Sequence, residues 1–128
     1  MSLDLYLEAD NELTVPLLEQ ALENAGALEV YRVDGALKAD FISGLTLTAN
    51  SATTDSSIYA EDRKGVDFHV AVRCSIRIKS PEPEGQSSME DLDKIATSIA
   101  RVCSSLFLIT FQFEETLYWR DTTGLHRT

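Results

Sequence analysis

The segment from Val66 to Lys79 reads V-D-F-H-V-A-V-R-C-S-I-R-I-K, with an apolar residue at every even position. Val66, Phe68, Val70, Val72, Cys74, Ile76 and Ile78 alternate with Asp67, His69, Ala71, Arg73, Ser75, Arg77 and Lys79. Strict period-2 alternation predicts a long β-strand with one face on a core and the other turned to water or a partner. Such a strand fits an antiparallel sheet covered on one side only. It also sets a basic stripe, Arg73, Arg77 and Lys79, on the outer face, where acids of adjacent strands can offset it.

The remaining chain supplies partners for this strand. Leu3, Leu5 and Leu7 alternate with Asp4, Tyr6 and Glu8, which predicts a first strand ended by Ala9-Asp10-Asn11. Thr14 can cap a helix that carries Pro16 in its first turn, buries Leu17, Leu18, Ala21, Leu22 and Ala25, and stops at Gly26. Leu28 to Tyr31 predicts a short strand before an Asp34-Gly35 turn, and Phe41 to Ala49 a third strand. Residues 50–65 form a long polar connection of the kind that is usually functional or mobile. After the Ser80–Gly85 breaker, Ser87 with Glu90, or Ser88 with Asp91, opens a second helix. Its stripe is Met89, Leu92, Ile95, Ala96, Ile99, Cys103 and Leu106. Leu106 to Phe113 predicts a strand with Phe107, Ile109, Phe111 and Phe113 on one face. Leu117–Arg120 and Leu125–Thr128 then form a terminal hairpin. The fold class is therefore α+β: an antiparallel β-sheet with two helices on one face, in the order β-α-β-β-β-α-β plus a C-terminal hairpin. The 128 residues suit a single domain, 1–128.

Charge narrows the function. The chain holds 21 acids and 11 bases, net −10, with −8 of this in residues 1–65. A nucleic-acid binder needs Lys and Arg to displace counterions, and an anionic membrane surface needs them too, so neither is expected as a partner. A basic protein partner is favoured by complementarity, although acidity also serves plain solubility. No apolar run reaches membrane-spanning length and the first residues show no signal-peptide pattern, so the expected compartment is the cytoplasm. Cys74 and Cys103 sit at positions that suit small buried hydrophobes, and neither they nor the two histidines form a metal-ligand spacing.

Three constellations stand out. Asp67, His69 and Arg73 share one predicted strand face, which places an imidazole beside a carboxylate but leaves it without a nucleophile. Their ordinary reading is a solvated strand face. Tyr118, Trp119 and Arg120, with Asp121 and His126, gather at the terminal hairpin and are of types enriched at binding hot spots. A Trp that caps the core is the plainer alternative. Glu8, Asp10, Glu12, Glu19 and Glu23 cluster around the first strand–helix junction, and Glu61 and Asp62 on the long connection are candidates to join them. Together they would form an anionic surface for a basic partner, or simply a solvated face. No phosphate loop, H-E-x-x-H, G-x-S-x-G or calcium loop is present in the sequence. No enzymatic activity, cofactor or metal is therefore expected.

Three stretches carry a resemblance: N-E-L-T-V-P-L-L-E-Q at 11–20, the alternation at 66–79, and L-F-L-I-T-F-Q-F-E-E-T-L-Y-W-R-D-T-T-G-L-H at 106–126. Through them the chain resembles the small, acidic immunity proteins of bacterial polymorphic and contact-dependent toxin systems. In many of these an aromatic strand leads to an R-D-x-x-G-L hairpin. The likeness is one of style across most of the chain, and it transfers no functional residue. It implies a cytoplasmic protein that binds a cognate toxin domain and blocks its active site. Two alternatives stand beside it: an acidic, secretion-chaperone-like homodimeric binding module, and a small enzyme that uses His69 or His126. The sequence leaves monomer or homodimer open.

Overall fold

A computed structural model describes residues 2–50 and 55–128. The elements are β1 (Ser2–Ala9), α1 (Val15–Asn24), β2 (Glu29–Val33), β3 (Ala36–Asp40), β4 (Thr46–Ala49), β5 (Val72–Lys79), α2 (Ser88–Val102), β6 (Phe107–Phe111), β7 (Glu115–Asp121) and β8 (Gly124–Arg127). All eight strands join one antiparallel sheet in the order β2-β3-β4-β5-β1-β6-β7-β8. The α+β class and the two helices on one face agree with the sequence reading. The N-terminal strand lies in the middle, paired with β5 on one side and β6 on the other.

The core lies between the helices and one sheet face. Leu5, Leu7, Leu47, Ile76, Phe107 and Ile109 meet Leu18, Leu22, Leu92, Ile95 and Ile99 there. Each helix starts where the sequence says it should. Thr14 Oγ1 accepts the Leu17 N–H, and Ser87 Oγ accepts the Glu90 N–H at 3.2 Å. Gly26, at φ +93, takes the left-handed turn just after α1.

Several expected boundaries move. The predicted strand at 41–49 is a tight turn followed by β4, and the short strand β3 at 36–40 precedes it. The strand expected from Val66 begins only at Val72. Residues 55–71 are irregular, and they lie across the sheet face that the helices leave bare. There Ile58, Ala60, Val66 and Val70 bury themselves against Leu108, with Phe68, Leu106 and Trp119 packed at the margin. Val66 and Val70 thus share parity with Cys74 and Ile76 but belong to a second core on the opposite face. Parity counts only along a continuous strand, and here Val70 donates its N–H to Ser56 O, across the strap itself. The outer face is therefore half covered. Phe113 also departs from expectation, because it leaves the core face of Phe107, Ile109 and Phe111 and turns to the outer side.

Candidate functional site

The strap is held by a buried charge. Glu8 lies on the outer face of β1 and is fully buried. Its carboxylate accepts the N–H groups of Tyr59 at 2.8 Å and Ala60 at 3.1 Å, and two bonds from the Arg73 guanidinium, Nε at 3.3 Å and Nη2 at 3.2 Å. Glu8 and Arg73 stand opposite each other on β1 and β5. Arg73 also donates to the carbonyls of Asp55 and Ser57. A buried carboxylate is tolerated when it is paired and its lone pairs are used, as they are here.

The part of the outer face left open is a groove along β4 and β5. Register places Tyr31, Lys38, Thr48, Ser75 and Tyr6 in one row across five strands, and Asp40, Thr46, Arg77 and Asp4 in the next. Short hydroxyl side chains, Thr46, Thr48 and Ser75, make the floor between taller walls. Arg77 Nε pairs with Asp4 at 3.1 Å at one end. At the other end Tyr6, Asn50, Tyr59, Arg73, Ser75 and Phe113, among the described residues, line an open cleft of about 320 Å³.

The walls of that cleft are an aromatic shelf. Tyr6 and Phe113 stack with centroids 4.0 Å apart and planes 9° from parallel, and Tyr59 meets Phe113 edge-on at 5.6 Å. The Arg73 guanidinium lies over the Tyr59 ring at 3.8 Å. Asp55 accepts the Tyr59 hydroxyl at 2.8 Å. Hydrogen bonds from Ser57, and then from Tyr59, pull the Asp55 carboxyl down to about 2.

Phe113 reaches the shelf by an unfavourable turn. Gln112 and Phe113 both sit at positive φ, 54° and 62°, while Glu114 donates its N–H to Phe111 O. The β2–β3 turn also has two residues at positive φ, and there they are Asp34 and Gly35, the types this geometry prefers. A bulky aromatic in the left-handed region costs on the order of 1–3 kcal/mol, and such positions concentrate at functional sites. Glu61 is tied to the same turn, since its N–H donates to Phe113 O at 2.7 Å.

The candidate residues from the sequence fall elsewhere. Glu8 is internal, as described. Asp10 closes a loop by accepting from Ser105 Oγ at 2.8 Å and Leu106 N at 3.2 Å. Glu19 pairs with Arg32 at 3.5 Å on the helix side, and Glu12 and Glu23 are exposed. Glu61 and Asp62 belong to the strap on the opposite face, where Asp62 pairs with Lys64 at 2.9 Å. The seven acids therefore do not form one patch, because the sheet separates them. Tyr118 is buried on the helix side against Asp93, and burial raises its hydroxyl above the usual range. Trp119 packs on the strap core, stacked with His126 at 5.2 Å and covered by Lys64 Nζ. Arg120 donates to Ala100 O and Cys103 O and so closes the end of α2. Tyr118, Trp119 and Arg120 therefore all have internal partners.

The histidines differ in setting. His69 is exposed and lines a shallow depression with Asp67, Asp55 and Arg63, and Asp67 pairs with Arg63 at 3.7 Å. The expected shared strand face of Asp67, His69 and Arg73 is not formed, because 67 and 69 precede β5. His126 Nε2 meets both Asp121 at 3.0 Å and Thr123 at 2.9 Å. A relay needs the carboxylate and the hydroxyl on different ring nitrogens, so this is a turn brace. Among the described residues no group of three or more His, Cys, Asp or Glu is placed to hold a metal ion. No described helix is long and apolar enough to cross a membrane.

Tyr6, Tyr59, Arg73 and Phe113 were not singled out as a binding site by the sequence. Tyr6 was visible as an outward aromatic in β1, but nothing local marks Gln112-Phe113 as a left-handed turn. No protein-family model, curated protein or solved structure matches the chain.

Proposed function

We propose that this protein is a cytoplasmic immunity protein that binds a cognate bacterial toxin domain one-to-one and blocks its active site, docking through the open half of the outer sheet face. The observation that carries the reading is the strained Gln112-Phe113 turn, which spends stability to hold Phe113 against Tyr6 at the mouth of a ready-made cleft. Rigid aromatic anchors beside a polar groove are the usual centre of a protein interface. The net charge of −10 favours a basic partner and fast encounter. The stylistic resemblance to immunity proteins supports the same class.

The test is to look immediately upstream for a reading frame encoding a large secreted protein with a variable C-terminal domain, and to co-express that domain with this chain. Protection of growth, and a one-to-one complex that weakens as salt rises, is the expected result. A stable homodimer that gives no protection and forms no complex would overturn it and point to the secretion-chaperone-like alternative.

A further inference from the structure

We infer that the cleft at the aromatic shelf is a receptor for a single arginine side chain presented by the partner. The inference rests on the proposed docking face and specifies its chemistry. Its first ground is shape and surface. The cleft, about 320 Å³, lies at the small end of the roughly 300–1,000 Å³ typical of ligand sites, which suits one inserted side chain. Tyr6, Tyr59 and Phe113 wall it, and ring faces attract cations through their quadrupoles.

The second ground is an internal precedent. Arg73 lays its guanidinium over one face of Tyr59 at 3.8 Å and occupies that face, which shows that a flat cation stacks on these rings and leaves the remaining ring surface for an incoming one. Arg73 does not leave the site positive, because the buried Glu8 carboxylate neutralises it. The third ground is the charge beside the shelf. Glu114 follows Phe113 directly, Glu61 donates its backbone N–H to the Phe113 carbonyl, and both are exposed, whereas Glu115 pairs with Phe111 and shares its core-side face. Neither Glu61 nor Glu114 forms an ion pair among the described residues. A planar, weakly hydrated guanidinium can stack on the rings while its outer N–H groups reach carboxylates, and a lysine ammonium cannot match both.

The experiment is an NMR titration of the full chain with capped glycine pentapeptides that carry one central arginine, lysine or citrulline. Arginine should shift Tyr6, Tyr59 and Phe113 saturably, lysine should bind severalfold more weakly, and the neutral isostere citrulline should leave these residues unmoved. Phe113→Gly removes the ring and relieves the left-handed strain, so it should keep the fold and weaken arginine binding about tenfold. Tyr6→Leu, which keeps an apolar strand residue, should do likewise. Shifts spread over the acids of α1 and α2, equal binding of arginine and citrulline, or full binding by both variants would overturn the inference. The two readings fail separately. A toxin domain neutralised equally well by Phe113→Gly overturns the arginine receptor and leaves the immunity reading intact. Loss of all protection by the native protein overturns the immunity reading whatever the peptides do.

Discussion

Replacing Glu8 with alanine removes a buried carboxylate that ties the strap to the sheet. The two backbone N–H groups of Tyr59 and Ala60 lose their acceptor, and Arg73 loses its ion-pair partner in a site where the guanidinium side chain is only 16% exposed. Breaking a buried ion pair from one side costs about 3–5 kcal/mol, because the other partner stays desolvated. Arg73 keeps its bonds to the Asp55 and Ser57 carbonyls, so the lower half of that range applies, about 3–4 kcal/mol. For a chain of 128 residues this corresponds to a melting temperature lower by roughly 11–15 °C. Glu8→Gln should lose about half as much, since the amide oxygen still accepts from the strap backbone. Urea unfolding followed by fluorescence of Trp119, the only tryptophan, reads the strap directly. A Glu8→Ala protein within about 1 kcal/mol of the parent would refute the assignment of Glu8 as the strap's anchor.

Three further outcomes follow from the same geometry. Asp55 and Asp121 are each lowered to about 2, mainly by Ser57 and Thr123 hydrogen bonds, so their folded values lie below the ordinary value of about 3.9. Their stabilisation is present above pH ~4 and is lost as pH falls toward 2, so the urea midpoint should drop across that window and drop less in Asp55→Asn; identical slopes in both proteins would count against it. Burial pushes the Cys74 thiol up to about 12, whereas Cys103 is half-buried at the end of α2, so a thiol reagent should label Cys103 in the native protein and Cys74 only on unfolding. Rapid native labelling of both would contradict this. Arg120→Ala leaves the Ala100 and Cys103 carbonyls without their donor and should cost about 2 kcal/mol in urea unfolding; a loss below about 0.5 kcal/mol would show that water replaces the cap.

Local patterns in the sequence carried the fold class because each was completed within a few residues. Thr14 and Ser87 cap helices by bonds to residues three positions away, and Asp34-Gly35 makes its own turn. β3 escaped because A-L-K-A-D has weak strand propensity and is held by its neighbours β2 and β4. The binding face was less legible. Glu8 alternates like any solvent-facing acid, and only the strap, arriving from about fifty residues away, turns it into a buried anchor. Phe113 continues the period of Phe107, Ile109 and Phe111, yet the chain reverses at Gln112 and the ring is delivered to the other side of the sheet. Both cases depend on which face a non-local segment covers, and no local period records that.

The same two features, the anchored strap and the reversed Phe113, define the surface on which the functional proposal depends. Hydrogen exchange of the protein alone and bound to the toxin domain it is proposed to neutralise tests that surface most directly. The account predicts new protection on complex formation at residues 55–60, 73–77 and 111–116, which surround the cleft and groove, with α1 unchanged. Protection confined to α1 and α2, with the cleft exchanging as in the free protein, would contradict it.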